Sequence, residues 1–391
     1  MYPAAQRIQI LSFQTYHEGV HIMKLGRSIV RNFIDIPDAV AEFPIRALQL
    51  GIPTEQNIDA VERFIEQYAV PAGITHITLS LYYGFEYPSH PEIVDRPAAS
   101  AAVARRLAEV CHRNNMEIVP EMNIPAHQST IYQGWKPFGL LRAYPDMEEV
   151  MDEELTTSTR EVCVLHPRLR PIACDMIDDL MEAFDTKIIH TGFDEVFQIG
   201  KCPRCRNTPK HILFADLVND MNRHIRSRGG TMWMWGDRLL DGQLIPNISS
   251  EYESSEISTW RAADLISKDI MICDWHYNAE PYGHLTPSFW VMKGNPYLSC
   301  PFNSIHGTEQ LIYATRVLRD APNTHGIYLT TWCDMDAFIR SVDEKYQDYR
   351  ATGILRSDPS LETSNIENAH NFAEYSSNIF LKMFVRPTPK T

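Results

Sequence analysis

Two adjacent acids, Asp194 and Glu195, follow the largely apolar run IIHTGF at residues 188–193. On a solvated surface such a pair is commonplace. At the end of a buried strand it places charge in a low-dielectric setting, which needs a reason. Neighbouring residues of a regular strand point to opposite faces, so both carboxylates reach one pocket only if the strand breaks there. Gly192 makes such a break cheap. With both acids facing inward, like-charge repulsion raises the proton affinity of one, giving a protonated acid beside an ionised partner near neutrality. That combination suits glycoside cleavage. Direct displacement and inversion need carboxylates about 5 to 10 Å apart across the scissile bond, and adjacent side chains rarely straddle a sugar in that way. The remaining route lets a substrate 2-acetamido oxygen attack the anomeric carbon. One carboxylate then steadies the acetamido N–H while the other protonates the leaving oxygen.

Other polar and aromatic residues fall at comparable places in the chain: Glu121, Asn123 and His127; Trp235 and Asp237; Trp275, His276 and Tyr277; Trp332 and Asp334. A lone tryptophan at a strand end is more often packing than ligand contact, and His127 and His190 are individually more often hydrogen-bonded structural histidines. Three tryptophans each beside a polar group are harder to dismiss. Pyranosides have apolar ring faces that stack on indoles and hydroxyl edges that want carboxylates.

These residues need a frame that gathers them. From about residue 44, short β-like runs alternate with helical patterns, which implies parallel strands joined by crossover helices. Eight strand candidates can be counted, at 43–51, 74–84, 116–123, 187–196, 231–237, 270–277, 296–302 and 326–334. Helical spacing between them runs through Ile58, Val61, Phe64, Ile65 and Tyr68; through Val103, Leu107, Val110 and Cys111; from Pro171 to Phe184; and through Phe214 to Ile225, stopped by Gly229 and Gly230. Eight strands favour an α/β fold closed as a (β/α)8 TIM barrel, whose active site forms at the carboxyl ends of the strands. No glycine-rich phosphate loop follows the first strand, against a dinucleotide fold. The expected division is an N-terminal extension at 1–42, a catalytic barrel at 43–350, and a C-terminal helical segment at 351–391 with a closing helix from about Ile366 to Met383. Long connections at 122–170 and 237–268 are expected to wall the pocket.

Composition narrows the partners. A formal net charge of −14 argues against nucleic acid and anionic membrane. No apolar run is long enough to span a bilayer and no export signal is visible, so cytoplasmic residence is expected, with a processed secreted form also compatible. The eight cysteines are scattered, as buried thiols in a reducing compartment would be. Only Cys202 and Cys205 are closely spaced, as CPRC. This is half of a structural zinc site, with His211 and the other cysteines as candidates to complete it. Unbonded thiols are the first reading, structural zinc the second and a disulfide the third. Catalytic metal is not expected, since no H-x-H occurs and no H-E-x-x-H falls within the barrel region 43–350, and no cofactor is required.

HTGFDEV at 190–196 resembles the H-x-G-x-D-E signature of glycoside hydrolase family 20, the substrate-assisted β-N-acetylhexosaminidases; VPEMNIPAH at 119–127 and WCD at 332–334 look like its third- and eighth-strand segments. The resemblance implies a retaining exo-acting enzyme on terminal β-linked GlcNAc or GalNAc in glycans or glycoconjugates. Asp194 would orient the acetamido group and Glu195 would be general acid, then base. Arg46 and Asp334 would hold ring hydroxyls, and Trp235, Trp275 and Trp332 would wall the sugar. Tyr277, with Tyr297 as its rival, would bond the acetamido oxygen, and His127, His190 and Asp237 would complete the substrate site. Phe193 and Ala126 stand where the family has glycine, and Asp334 where it has glutamate, which leaves the sugar epimer open. Alternatives are a GalNAc-specific variant and a catalytically silent carbohydrate-binding barrel.

Overall fold

A computed structural model describes residues 35–129, 136–150, 159–245, 252–355 and 369–388. Most of the expected N-terminal extension, parts of both long connections and the start of the closing helix lie outside the described residues. Eight parallel strands close into a barrel in sequence order: β1 Ile45–Leu50, β2 His76–Ser80, β3 Glu117–Ile124, β4 Ile188–Gly192, β5 Thr231–Trp235, β6 Met271–Trp275, β7 Tyr297–Cys300 and β8 Thr324–Leu329. The pairing of β1 with β8, Ile45 opposite Gly326 through Leu48 opposite Leu329, makes the closure. This is the expected (β/α)8 barrel; six strands fall inside the runs anticipated from sequence, while β3 runs one residue past its run to Ile124 and β8 starts two residues before its run, at Thr324.

Both faces of these strands are covered, which is why several read as nearly unbroken apolar runs. Leu48, Leu50, Ile77, Leu79, Ile118 and Ile189 join the outer core beneath the helices. Alternate positions fill the lumen with Ala47, Val119, Trp233, Met271, Leu298 and Tyr328. Advancing two residues along the same inward face leads from Ala47 to Gln49, from Thr78 to Ser80, from Val119 to Glu121, and from Ile188 to His190. The inward face therefore turns polar toward the carboxyl ends.

The helices follow from local rules. Helix Ala101–Arg113 starts where Ser100 Oγ accepts from Val103 N at 3.2 Å, and buries Val103, Ala104, Leu107, Val110 and Cys111 on one face. Helix Leu169–Ala183 begins two residues before Pro171. The proline is tolerated because first-turn N–H groups have no intrahelical acceptor. Between β5 and β6 the described residues contain a 3-10 segment, Thr259–Asp264, rather than an α-helix.

The C-terminal helix Ala369–Phe384 packs on helix Met335–Thr352 and on the short helix Ile36–Ala41. Its fully buried Phe380 meets Phe64, Phe338 and Phe384 at ring-centroid distances of 5.7, 6.1 and 5.7 Å. Ser376 Oγ donates to the Thr331 carbonyl at 3.0 Å, one residue before Trp332, so the segment also braces the eighth strand end. Phe380→Ala is expected to lower unfolding free energy by about 3–5 kcal/mol, read from chemical denaturation; a change near zero would show that the helix is not part of the cooperative core.

Candidate active site

β4 ends at Gly192, and the backbone then leaves strand geometry: φ is +82° at Gly192, +73° at Phe193 and +50° at Glu195. Left-handed conformations at non-glycine residues cost of order 1–3 kcal/mol each and persist only where surroundings over-determine them. Here they undo the alternation of a strand and turn both acids to one side. Gly192 is further constrained by space. A Cβ there would lie 2.4 Å from Asn123 Oδ1 and 2.8 Å from Asn123 Cα. The β3–β4 pairing shifts register between Glu121 and Ile124, beside the same contact.

Asp194 and Glu195 converge on His127, whose Nε2 is 3.1 Å from Asp194 Oδ2 and 3.1 Å from Glu195 Oε2. Asn123 Nδ2 donates to the other oxygen of Asp194 at 2.8 Å. The side chains are 10% and 20% exposed, so neither acid is turned out into bulk solvent. Burial alone would raise the Asp194 pKa, but His127 and then Asn123 outweigh it and hold the carboxyl below its usual range. Burial would likewise lower His127, yet Asp194 and Glu195 together raise it well above an ordinary imidazole. The three form an imidazolium bridging two acids.

Around them runs a chain of contacts through seven of the eight strand ends. Glu195 N donates to Asp237 Oδ2 at 2.9 Å, and Trp275 Nε1 to Asp237 Oδ1 at 3.2 Å. Trp275 and Tyr277 have ring centroids 4.9 Å apart, and Trp332 Nε1 donates to the Tyr277 hydroxyl at 2.7 Å. Burial keeps that phenol protonated. Gln49 Oε1 accepts from Thr331 N at 3.0 Å and Trp332 N at 3.2 Å, while its amide donates to Ser80 Oγ at 2.8 Å. Ser80 donates to Glu121 Oε2 at 2.9 Å, and Trp235 Nε1 to Glu121 Oε1 at 2.9 Å. Burial and the Asp194 charge push Glu121 up to about 8, against the hydrogen bonds that lower it. Tyr82, with φ +49°, stacks on His127 and closes the circuit. Gln49, Tyr82, Trp332 and Asp334 also line an open cleft of about 570 Å³ at this end.

Several sequence expectations need correction. Arg46 is not in the site. It lies at the amino end of β1, donating from Nε to Gly73 O at 2.5 Å and from Nη1 to Phe43 O, and it lines a different cleft with Arg350 and Arg386. Its parity along the strand is that of outward-facing Leu48 and Leu50, and the inward residue at the carboxyl end is Gln49. Tyr297 begins β7, is fully buried and accepts from Thr324 Oγ1 at 3.2 Å, which removes it as the rival of Tyr277. Asp237 is committed within the protein: besides Glu195 and Trp275 it accepts from buried Arg238 Nε at 2.7 Å. Burial raises its pKa to about 6, partly offset by Arg238. Trp235 is only 1% exposed, stacked on Tyr328, and belongs to the packed layer rather than an open wall. His190 is fully buried against Trp235, driven down to about 3 by burial, and accepts from Gly192 N at 3.2 Å; it sets the strand break as a neutral acceptor. Asp334 reaches the cleft rim, where Oδ1 caps helix Met335–Thr352 through Ala337 N at 2.8 Å. Gln49, Ser80 and Tyr82 escaped the sequence reading; inward parity at the ends of β1 and β2 was the signal.

Comparison with known proteins agrees with this geometry. Residues 99–275 match the family model for Glycosyl hydrolase family 20, catalytic domain, a span holding β3 to β6 and both acids. No curated protein matches the chain. Among solved structures, a β-N-acetylhexosaminidase from Bacteroides fragilis NCTC 9343 superposes with TM-score 0.53 at 15% identity, covering 90% of this chain and 68% of that one. Another β-N-acetylhexosaminidase gives 0.56 at 15%, over 87% and 75%. An exo β-N-acetylglucosaminidase from Vibrio harveyi, solved with N-acetylglucosamine, gives 0.54 at 14%, over 87% and 57%. At such identities these likenesses speak to the fold.

Two consequences can be measured. Gly192→Ala introduces both strain and overlap with Asn123, and is expected to cost about 1–3 kcal/mol and to depress activity more than an alanine at exposed Gly229; equal effects would show that the β4 break tolerates a side chain. The second concerns His276, which touches Glu253 Oε2 at 2.7 Å and Asp274 Oδ1 at 3.3 Å behind Trp275. Burial would lower it, but Asp274 and Glu253 raise it to about 10. Folding then retains a proton that the unfolded chain releases near its reference value of roughly 6.5. Its contribution is complete below that value and lost as pH rises through about 10. His276→Gln should remove this alkaline slope and cost about 3–5 kcal/mol near neutrality, in unfolding titrations across pH. A closed barrel whose fourth strand delivers paired acids, together with the sequence match across that region, makes residues 99–275 of this chain similar to the glycosyl hydrolase family 20 catalytic domain.

Proposed function

We propose that the chain is a retaining, exo-acting β-N-acetylhexosaminidase that hydrolyses terminal β-linked GlcNAc or GalNAc through its substrate's acetamido group. The observation that carries this reading is the shared contact of Asp194 and Glu195 with one imidazole nitrogen, at 3.1 Å each. Acids that meet on one atom act on one side of a sugar, whereas direct displacement or inversion would set them on either side of the bond. Asp194, kept ionised by His127 and Asn123, accepts the acetamido N–H and makes the amide oxygen a better nucleophile. Glu195 gives its proton to the leaving oxygen and then takes one from water as the cyclic intermediate opens. The Tyr277 hydroxyl, which accepts from Trp332, keeps its own proton to donate to the acetamido oxygen.

The matched segment, 99–275, contains the acids, His127 and Trp275 but excludes Gln49, Tyr277, Trp332 and Asp334. Both acids therefore lie in the matched segment, while Tyr277, the third group assigned to the acetamido, lies just beyond it. Recognition of the ring hydroxyls falls to the divergent half, where Arg46 plays no part and Gln49 and Asp334 face the cleft. Epimer choice is set there.

The test is hydrolysis of p-nitrophenyl β-GlcNAc, β-GalNAc and the 2-hydroxyl glucoside. Wild type should cleave at least one acetamido sugar and not the glucoside. Glu195→Gln and Asp194→Asn should each lose about 10²–10⁴-fold in kcat, and a thiazoline analogue of the cyclic intermediate should inhibit. Binding without turnover in the wild type would instead indicate a silent carbohydrate-binding barrel, and hydrolysis unaffected by the thiazoline would remove substrate assistance.

A further inference from the structure

CPRC at 202–205 supplied two thiols without partners in the sequence; the fold supplies two more groups. Cys163, from the connection between β3 and β4, places Sγ 3.4 Å from Cys202 Sγ and 3.5 Å from Cys205 Sγ. Glu149, from the same connection, completes a cluster whose four ligand atoms lie within 4.8 Å of one another. All four residues are buried. Zinc–thiolate bonds of about 2.3 Å in tetrahedral geometry set sulfurs roughly 3.7 Å apart, close to the spacing seen.

The carboxylate is the telling member. Glu149 Oε1 accepts from Lys201 N at 2.8 Å and Cys202 N at 3.0 Å, while Oε2 is buried with no hydrogen-bond partner. A buried carboxylate oxygen without a donor is costly, and one oxygen fixed by backbone N–H groups is how a ligating carboxylate is oriented. A disulfide explains less, because it would join two of three mutually close sulfurs and leave the third thiol and Oε2 unaccounted for.

We infer that Glu149, Cys163, Cys202 and Cys205 form a closed, four-coordinate structural zinc site that clamps the β3–β4 connection to the loop following the catalytic acids. Three soft thiolates with a fourth ligand select zinc over magnesium or calcium, and a full protein ligand set leaves no position for a reacting water. The clamp works beside a second tie: Glu161 Oε1, two residues before Cys163, accepts from Phe197 N and Gln198 N. Together they pin residues 197–205, which begin two positions after Glu195.

Full-length protein purified without a metal-affinity tag and dialysed should carry one zinc per chain by elemental mass spectrometry. Cobalt exchanged into it should show the charge-transfer and d–d bands of a tetrahedral thiolate site. Cys163→Ser and Cys205→Ser should lose the metal, Glu149→Gln should weaken zinc binding at least about tenfold, and Cys174→Ser, outside the cluster, should retain it. Should a cysteine variant fail to fold, wild type treated with a strong chelator supplies the readout: its thermal midpoint should fall and recover with zinc but not magnesium. The inference is overturned if zinc-incubated wild type holds no metal above background, if Cys163→Ser retains full zinc, or if thiol counting on the denatured protein finds two of these cysteines oxidised.

Discussion

Two neighbouring carboxylates held in one largely buried pocket repel each other, and the structure around them answers that repulsion. His127 sits between them as the compensating charge, Asn123 takes one remaining oxygen of Asp194, and Asp237 fixes the Glu195 backbone. Without an imidazolium at that point, low dielectric would favour protonation of Asp194. The left-handed φ at His127, +57°, belongs with those at Phe193 and Glu195. Strain is spent where the charges meet.

Support extends outward in two directions. Inside the barrel, Glu121 links Ser80, Gln49 and Trp235, and the neutral His190 accepts the Gly192 N–H that begins the strand break. Outside it, the residue 237–268 connection buries Arg238 behind Asp237 and presents Glu253 to His276. These buried polar groups are expensive singly and made more tolerable by the hydrogen bonds and ion pairs they share. The same logic extends to the loop after Glu195, where Glu161 holds Phe197 N and Gln198 N and the thiol cluster lies against the same segment.

The corrections have two origins. Arg46 and Tyr297 have the right residue type near a strand, yet parity and position along the strand remove them from the cleft, whereas Asp237 and Trp235 stand at the correct strand end and are taken up by hydrogen bonds and packing within the protein. In a barrel, an odd-to-even shift exchanges the lumen for the helix layer, and the end of the strand exchanges site for base. Gln49 occupies the place anticipated for Arg46, with its amide spent on the backbone of Thr331 and Trp332 and on Ser80 and Glu121. A neutral, hydrogen-bonded amide there makes this side of the cleft less cationic than a first-strand arginine would.

What the chain declares in one dimension is whatever repeats or stands adjacent: eight apolar runs, the helical periods between them, and Asp194 beside Glu195 at the end of one run. Those follow from the burial of strands on both faces and the helix period, which are local in sequence. Folding decided what depends on proximity between distant segments. It brought His127 across from β3 to both acids of β4, closed Gln49 against Trp332 nearly three hundred residues away, and carried Cys163 and Glu149 to CPRC. No local pattern encodes such meetings, because barrel closure and loop packing, rather than spacing along the chain, set which side chains share a volume.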